Sequence, residues 1–261
     1  MRFKKHIPNS ITLLNLLCGI IATMLAVLNQ LELAAYFVVM GIVFDFFDGL
    51  TARLLNVQGE LGKQLDSLAD VITSGVAPAV VMFQLLVKSL HTDWLKGLSC
   101  EIGNWSTFSE TAPVKLGDIS VHPLPFIGLF LALAAAYRLA NFNIDTRQSS
   151  EFIGLPTPAM SLFVMSLPLI LIYSDVVFIK ELILNKYVLI GITVLLSYLM
   201  NAELKLFSFK IKDFTLKKYR FHIVYLAVVL LAVVLFKFIA IPLAVIFYIL
   251  FSILLQFLNK K

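Results

Sequence analysis

The sequence predicts an all-α, polytopic membrane protein: a bundle of about eight transmembrane helices with a cytoplasmic N-terminus. Three observations carry this expectation. Hydrophobic residues make up 60% of the 261 positions and charged residues only 14%, which is not the composition of a soluble domain. Long apolar runs recur to the last residues, as in a multi-pass chain rather than a cleaved leader ahead of a soluble body. With the N-terminus inside, the inner segments hold 15 Lys and Arg and the outer segments six, following the positive-inside rule. The net charge of +5 therefore reflects topology rather than a nucleic-acid-binding surface.

Taken in order, residues 1–9 are short and basic (Arg2, Lys4, Lys5), and Pro8 leads into a first span over 11–28 interrupted by the polar Asn15. A brief turn precedes a second run over 33–47. Its helix continues to Leu55 and carries Asp45, Asp48 and Arg53 at its C-terminal end. The link NVQGELG holds Gly59 and Gly62 and reads as a tight connection. A third helix runs from Leu61 to Val87. It starts with Asp66 and Asp70, and its segment TSGVAP predicts a kink at Pro78.

Residues 89–120 form the longest non-spanning segment, with Trp94 and Trp105 suited to the bilayer interface. A fourth span covers 122–140 and ends in AAAYRLANFN. After a loop with Arg147 and Glu151, Pro156 and Pro158 mark the start of a helix. Spans five and six cover 158–173 and 186–201. The basic segment 203–220 reads as a topology determinant, with anionic-lipid binding as the alternative. Two last spans, near 222–237 and 239–257, are separated by a short break at Lys237. The whole reads as one integral membrane domain, 1–261. Its catalytic core lies in 1–200, and 201–261 adds the basic cytoplasmic segment and two C-terminal helices. Cys18 sits in an apolar run and Cys100 in a loop, so no disulfide framework is expected.

The chemistry concentrates between Asp45 and Asp70. Asp45 and Asp48 are three apart and Asp66 and Asp70 four apart, so on helices each pair shares a face. Both pairs fall at the same membrane surface. Buried carboxylates need a cation or a counter-ion, and only Arg53 and Lys63 are near in sequence. Hard oxygen ligands from two adjacent helices suit one or two Mg²⁺ or Mn²⁺ ions. His6, His91, His122 and His222 are scattered, which argues against zinc. Gly49, Ala52 and Gly62 lie on or near the carboxylate faces. Their small size serves either close helix contact or space for a flat or extended ligand. Arg53 can then reach a phosphate.

The full pattern Asp45-x2-Asp48-Gly49-x2-Ala52-Arg53-x8-Gly62-x3-Asp66-x3-Asp70 resembles the signature of the CDP-alcohol phosphatidyltransferase family, with all eight fixed positions present. The resemblance implies cleavage of a CDP-linked donor, transfer of its phosphate-bearing part to an alcohol, and release of CMP. It implies that Asp45, Asp48, Asp66 and Asp70 organise two metal ions, with Asp70 also the general base. It further implies that Asp48, Gly49, Ala52, Arg53, Gly62 and Asp66 line the CDP site, and that the protein forms a homodimer.

Five segments resemble the membrane-integral serine-transferring branch of that family: 7–20, 66–79, 137–143, 154–160 and 197–210. Ser67 and Val71 stand where glycerophosphate-using relatives carry Pro and Lys. The resemblance thus implies CDP-diacylglycerol and L-serine as substrates, at a site facing the cytoplasm. One position departs from the pattern: Asn141 stands where Arg is usual, with Arg147 as a candidate substitute. Arg138 is the expected anion partner at the cytoplasmic end of span four, and Asn141 and Asn143 are candidate polar lining. The rival readings are another acceptor alcohol (glycerol 3-phosphate or an inositol), a cation-coupled transporter, and a non-catalytic scaffold.

Overall fold

The computed structural model describes residues 2–90, 123–144, 152–206 and 236–259. The chain is a largely helical, multi-pass membrane protein. Helix α1 (Arg2–Val27) and α2 (Leu31–Leu54) form an antiparallel pair. The third span is continuous over Glu60–Ser89 and has three parts: α3 (Glu60–Asp70), a π-helical segment (Val71–Val76) and α4 (Ala77–Ser89). A 3₁₀ turn (Leu124–Leu129) opens α5 (Phe130–Ile144). Then come α6 (Thr157–Tyr173), the short α7 (Val177–Ile183), α8 (Lys186–Asn201) and α9 (Ala240–Asn259).

Among the described residues, four helices are long and apolar enough to cross a membrane, and a fifth if α7 and α8, bent by 66°, count as one span. Helix α6 has 17 residues, a rise of about 25 Å against a hydrocarbon core of roughly 30 Å. The expected span near 222–237 lies outside the described residues, as do Trp94, Trp105, Arg147 and most of the basic segment 203–220.

Burial explains the layout. Helix α6 is apolar around its whole circumference and is buried along nearly its full length, as a central helix must be. The span 60–89 is its main companion at the centre, with 72% of its apolar stretch buried, against 28–33% for α1, α2 and the span 124–144. Those three present one face to the core and one to lipid. Leu13, Leu17, Met24, Val39 and Leu133 are exposed on the lipid side.

The structure corrects one sequence expectation and gives form to another. The first helix does not start after Pro8. It runs from Arg2 with Pro8 inside it, and the Ser10 and Thr12 hydroxyls donate to the His6 and Pro8 carbonyls at 2.8 and 3.1 Å. At Pro78, where a kink is expected, the span stays continuous and carries a π-helical segment just before the proline. Proline has no N–H to give the carbonyl four residues back and its ring crowds that carbonyl. Widening the preceding turn relieves this: the Ala77 N–H reaches the Ile72 carbonyl, five residues back.

A two-residue antiparallel pairing joins β1 (Phe152–Ile153) to β2 (Lys205–Leu206), in the register Phe152↔Leu206 and Ile153↔Lys205. It anchors the start of α6 to the segment after α8. The Gly154 and Leu155 N–H groups continue the clasp to the Leu204 and Leu199 carbonyls, each at 2.9 Å.

Candidate active site

The four aspartates converge where the C-terminal end of α2 meets α3, with α1 behind them. One carboxylate oxygen each from Asp45, Asp48 and Asp66 lies within 4.8 Å of the others. Asp48 is buried, and Asp45 and Asp66 are half-buried. Three like charges at that spacing and burial repel strongly. Asp48 Oδ2 and Asp66 Oδ1 are buried without a hydrogen-bond partner. An all-oxygen donor set with unsatisfied buried acceptors fits a hard divalent cation.

Asp70 stands beside this trio, close enough to interact electrostatically with Asp45 and Asp66. It is held from the first helix: Asn15 Nδ2 donates to Asp70 Oδ1 at 3.3 Å. Thr73 Oγ1 in turn donates to the Asn15 carbonyl at 3.0 Å. Gly19 permits this closeness, because a Cβ there would come within 2.8 Å of Thr73 Cα. Thr12, one turn before Asn15, lies within reach of Asp48. The sequence reading gives Asn15 no role beyond interrupting a span. Its signal was periodicity: Thr12, Asn15 and Cys18 fall at three-residue intervals and continue the buried stripe of Ala22 and Ala26.

Arg138, on α5, is 8% exposed and faces Asp70 electrostatically. Its Nη1 reaches Thr157 Oγ1 at 3.4 Å, and its Nε has no partner. Asn143 bridges α5 to α3: its Nδ2 donates to Ser67 Oγ at 2.8 Å and its carbonyl accepts from Lys63 Nζ at 2.8 Å. Asn141 is half-buried nearby on α5. At Gly49 an added Cβ would meet nothing within 4 Å. That glycine borders open space instead of easing helix contact. Arg53 is exposed, with its Nε donating to the Gly49 carbonyl at 3.0 Å. Ala52 and Gly62 are half-buried.

The site thus combines a metal-fitting carboxylate trio, a separate fourth carboxylate and open space beside Gly49. The model of the CDP-alcohol phosphatidyltransferases covers residues 5–195. This chain belongs to the CDP-alcohol phosphatidyltransferase family. It is therefore a membrane enzyme that moves a phosphate-bearing group from a CDP-linked donor to an alcohol. Among similar proteins is the CDP-diacylglycerol–serine O-phosphatidyltransferase of Bacillus subtilis, 30% identical over 78% of this chain and 92% of its own length. The Helicobacter pylori enzyme of the same name is 26% identical over 84% of this chain and 79% of its own. An archaetidylserine synthase of Methanothermobacter thermautotrophicus is 26% identical over 65% and 60%. In this phosphatidyltransferase the eight residues of the Asp45–Asp70 pattern come from α2 and α3, while α1 and α5 supply residues that brace and face them.

Proposed function

We propose that this phosphatidyltransferase uses CDP-diacylglycerol as donor and L-serine as acceptor, giving phosphatidylserine and CMP on the cytoplasmic side of a cell membrane. The observation that carries the reading is the placement of the carboxylates. Asp45, Asp48 and Asp66 form the trio, and Asp70 stands next to it between the Asn15 amide and Arg138. The serine acceptor draws its support from the two bacterial relatives, whose names specify that reaction and which align over most of their length.

In this reading Asp45, Asp48 and Asp66, with a contribution from Asp70, hold one or two Mg²⁺ or Mn²⁺ ions. Such ions supply charge neutralisation for the pyrophosphate and the departing CMP. Gly49, Ala52 and Gly62 leave room for the CDP group, and Arg53 turns from the Gly49 carbonyl to a phosphate oxygen. Arg138 draws in the acceptor's carboxylate, while Asn141 and Asn143 complete the polar surroundings. Asp70 accepts the proton of the serine hydroxyl as its oxygen bonds to phosphorus and the bond from phosphorus to the CMP oxygen breaks. Direct displacement and a covalent intermediate both fit these residues.

The test is CMP release by purified protein in detergent with CDP-diacylglycerol and labelled L-serine, with and without Mg²⁺ or Mn²⁺. Serine-dependent release, with label entering lipid, is the expected result. Release driven only by glycerol 3-phosphate or an inositol would keep the family chemistry and discard the acceptor.

A further inference from the structure

Hydroxyls inside apolar helices have a default partner, the carbonyl three or four residues back. This chain follows that rule repeatedly. Thr12, Thr23, Ser166, Thr193 and Ser252 all donate that way, at 2.6–3.1 Å. Ser74 and Ser161 do not. Each is at most 1% exposed, and neither Oγ has a hydrogen-bond partner among the described residues. Thr73 donates instead to the Asn15 carbonyl of α1, and a third unpartnered helical hydroxyl, Ser197 on α8, is half-buried.

Ser74 and Ser161 belong to elements that meet at Arg138. Ser161 lies one turn after Thr157 on α6, so the two hydroxyls share a face, and Thr157 Oγ1 is the group that Arg138 Nη1 reaches. Ser74 lies one turn after Asp70, which Arg138 faces. Its neighbour Gly75 sits against Ala135, one turn before Arg138 on α5, so closely that a Cβ added at Gly75 would come within 3.1 Å of the Ala135 methyl. The π-helical segment packs against both α5 and α6. Tyr248 of α9 lies within electrostatic reach of Arg138. Arg138 Nε, buried and unpaired, completes a set of donors with nothing to donate to. Leaving buried polar groups unmatched is costly, and a cation with hydroxyl donors around it is matched by an oxyanion.

We propose that Ser74, Thr157 and Ser161 form, with Arg138, the pocket that recognises the carboxylate of the acceptor amino acid. This rests on the serine reading above and adds three residues to it. The geometry orients the acceptor: with its carboxylate held by Arg138 and the hydroxyls, its own hydroxyl group points to the neighbouring Asp70. An amino alcohol without the carboxylate leaves the donors unmatched and is rejected.

The experiment is steady-state CMP release by Ser74→Ala, Thr157→Val and Ser161→Ala proteins, with serine and CDP-diacylglycerol varied in turn. Ser166→Ala, which removes a hydroxyl satisfied within its own helix, serves as the matched control. Loss of one hydrogen bond to a charged ligand predicts a rise of about 10-fold or more in the KM for serine. The KM for CDP-diacylglycerol should stay unchanged, which also reports a folded protein. The wild-type protein should prefer serine over ethanolamine, and the variants should narrow that preference. Unchanged serine KM in all three variants overturns the pocket. A rise confined to CDP-diacylglycerol overturns it too, by assigning the donors to the lipid phosphate. A wild-type protein that uses only a carboxylate-free acceptor overturns the serine reading itself, and is recognised before any variant is made.

Discussion

Asn15 and Asp70 lie 55 residues apart in sequence and are joined by one hydrogen bond of 3.3 Å, from the amide of the first helix to the carboxylate of the third. The bond leaves Asn15 as a positioning residue: it fixes which way the Asp70 oxygens point. Replacing it by Leu should lower kcat for CMP release by about 10-fold, the value of a hydrogen bond to a charged group, with little change in the KM for either substrate. Gln, longer but still a donor, should recover part of the loss. A fall in KM-limited rates alone would show that Asn15 does something else.

The trio of Asp45, Asp48 and Asp66 should bind Mn²⁺ in the absence of lipid. Titration followed by electron paramagnetic resonance should show the bound ion, and Asp66→Asn should weaken it at least 10-fold. Chelation should abolish CMP release, and added Mg²⁺ or Mn²⁺ should restore it. Activity that survives thorough chelation would remove the metal role.

Arg53 is exposed, and among the described residues its one hydrogen bond is to the Gly49 carbonyl, so the fold does not depend on it. Arg53→Lys keeps the charge and loses the planar fork. The KM for CDP-diacylglycerol should rise several-fold while the thermal midpoint in detergent stays put. Equal losses in the midpoint and in activity would point to a structural arginine.

Two glycines should be intolerant for different reasons. Gly19→Ala drives a methyl group into the backbone at Thr73, an overpacked contact that costs about 1–3 kcal/mol. Gly154 has φ +75°, and a Cβ there would also collide with the Met200 carbonyl, so Gly154→Ala carries backbone strain of about 1–3 kcal/mol as well. Thermal unfolding in detergent should show both as lowered midpoints. Gly49→Ala, facing open space, should leave the midpoint unchanged and raise the KM for the CDP donor.

Much of this was legible in the sequence, because the signals were of the kinds that a linear chain displays. The boundaries of α2, α6 and α8 follow from apolar runs closed by turn residues, and Pro156 marks the α6 start as its spacing implied. The convergence of the four aspartates follows from i, i+3 and i, i+4 geometry on two helices, but not that three of them group closely while Asp70 stands beside them. What stayed hidden depends on contacts between distant segments. Asn15 looks like a flaw in a span until Asp70 is set opposite. Ser74 looks like an ordinary small residue until Pro78 is seen to widen the turn before it into a π-helix. The clasp of residues 152–155 on 199–206 is made of backbone groups, which carry no side-chain signature at all.

That clasp bears on how the protein can be trimmed. The family's matched region stops at residue 195, and a protein engineer seeking the smallest working version would be tempted to cut there. Doing so would strip the Leu199 and Leu204 carbonyls from Leu155 and Gly154, and the partner strand from Phe152 and Ile153. The helix carrying Thr157 and Ser161 would then lose its mooring at the end nearest the chemistry. A shortened gene should run at least through codon 206.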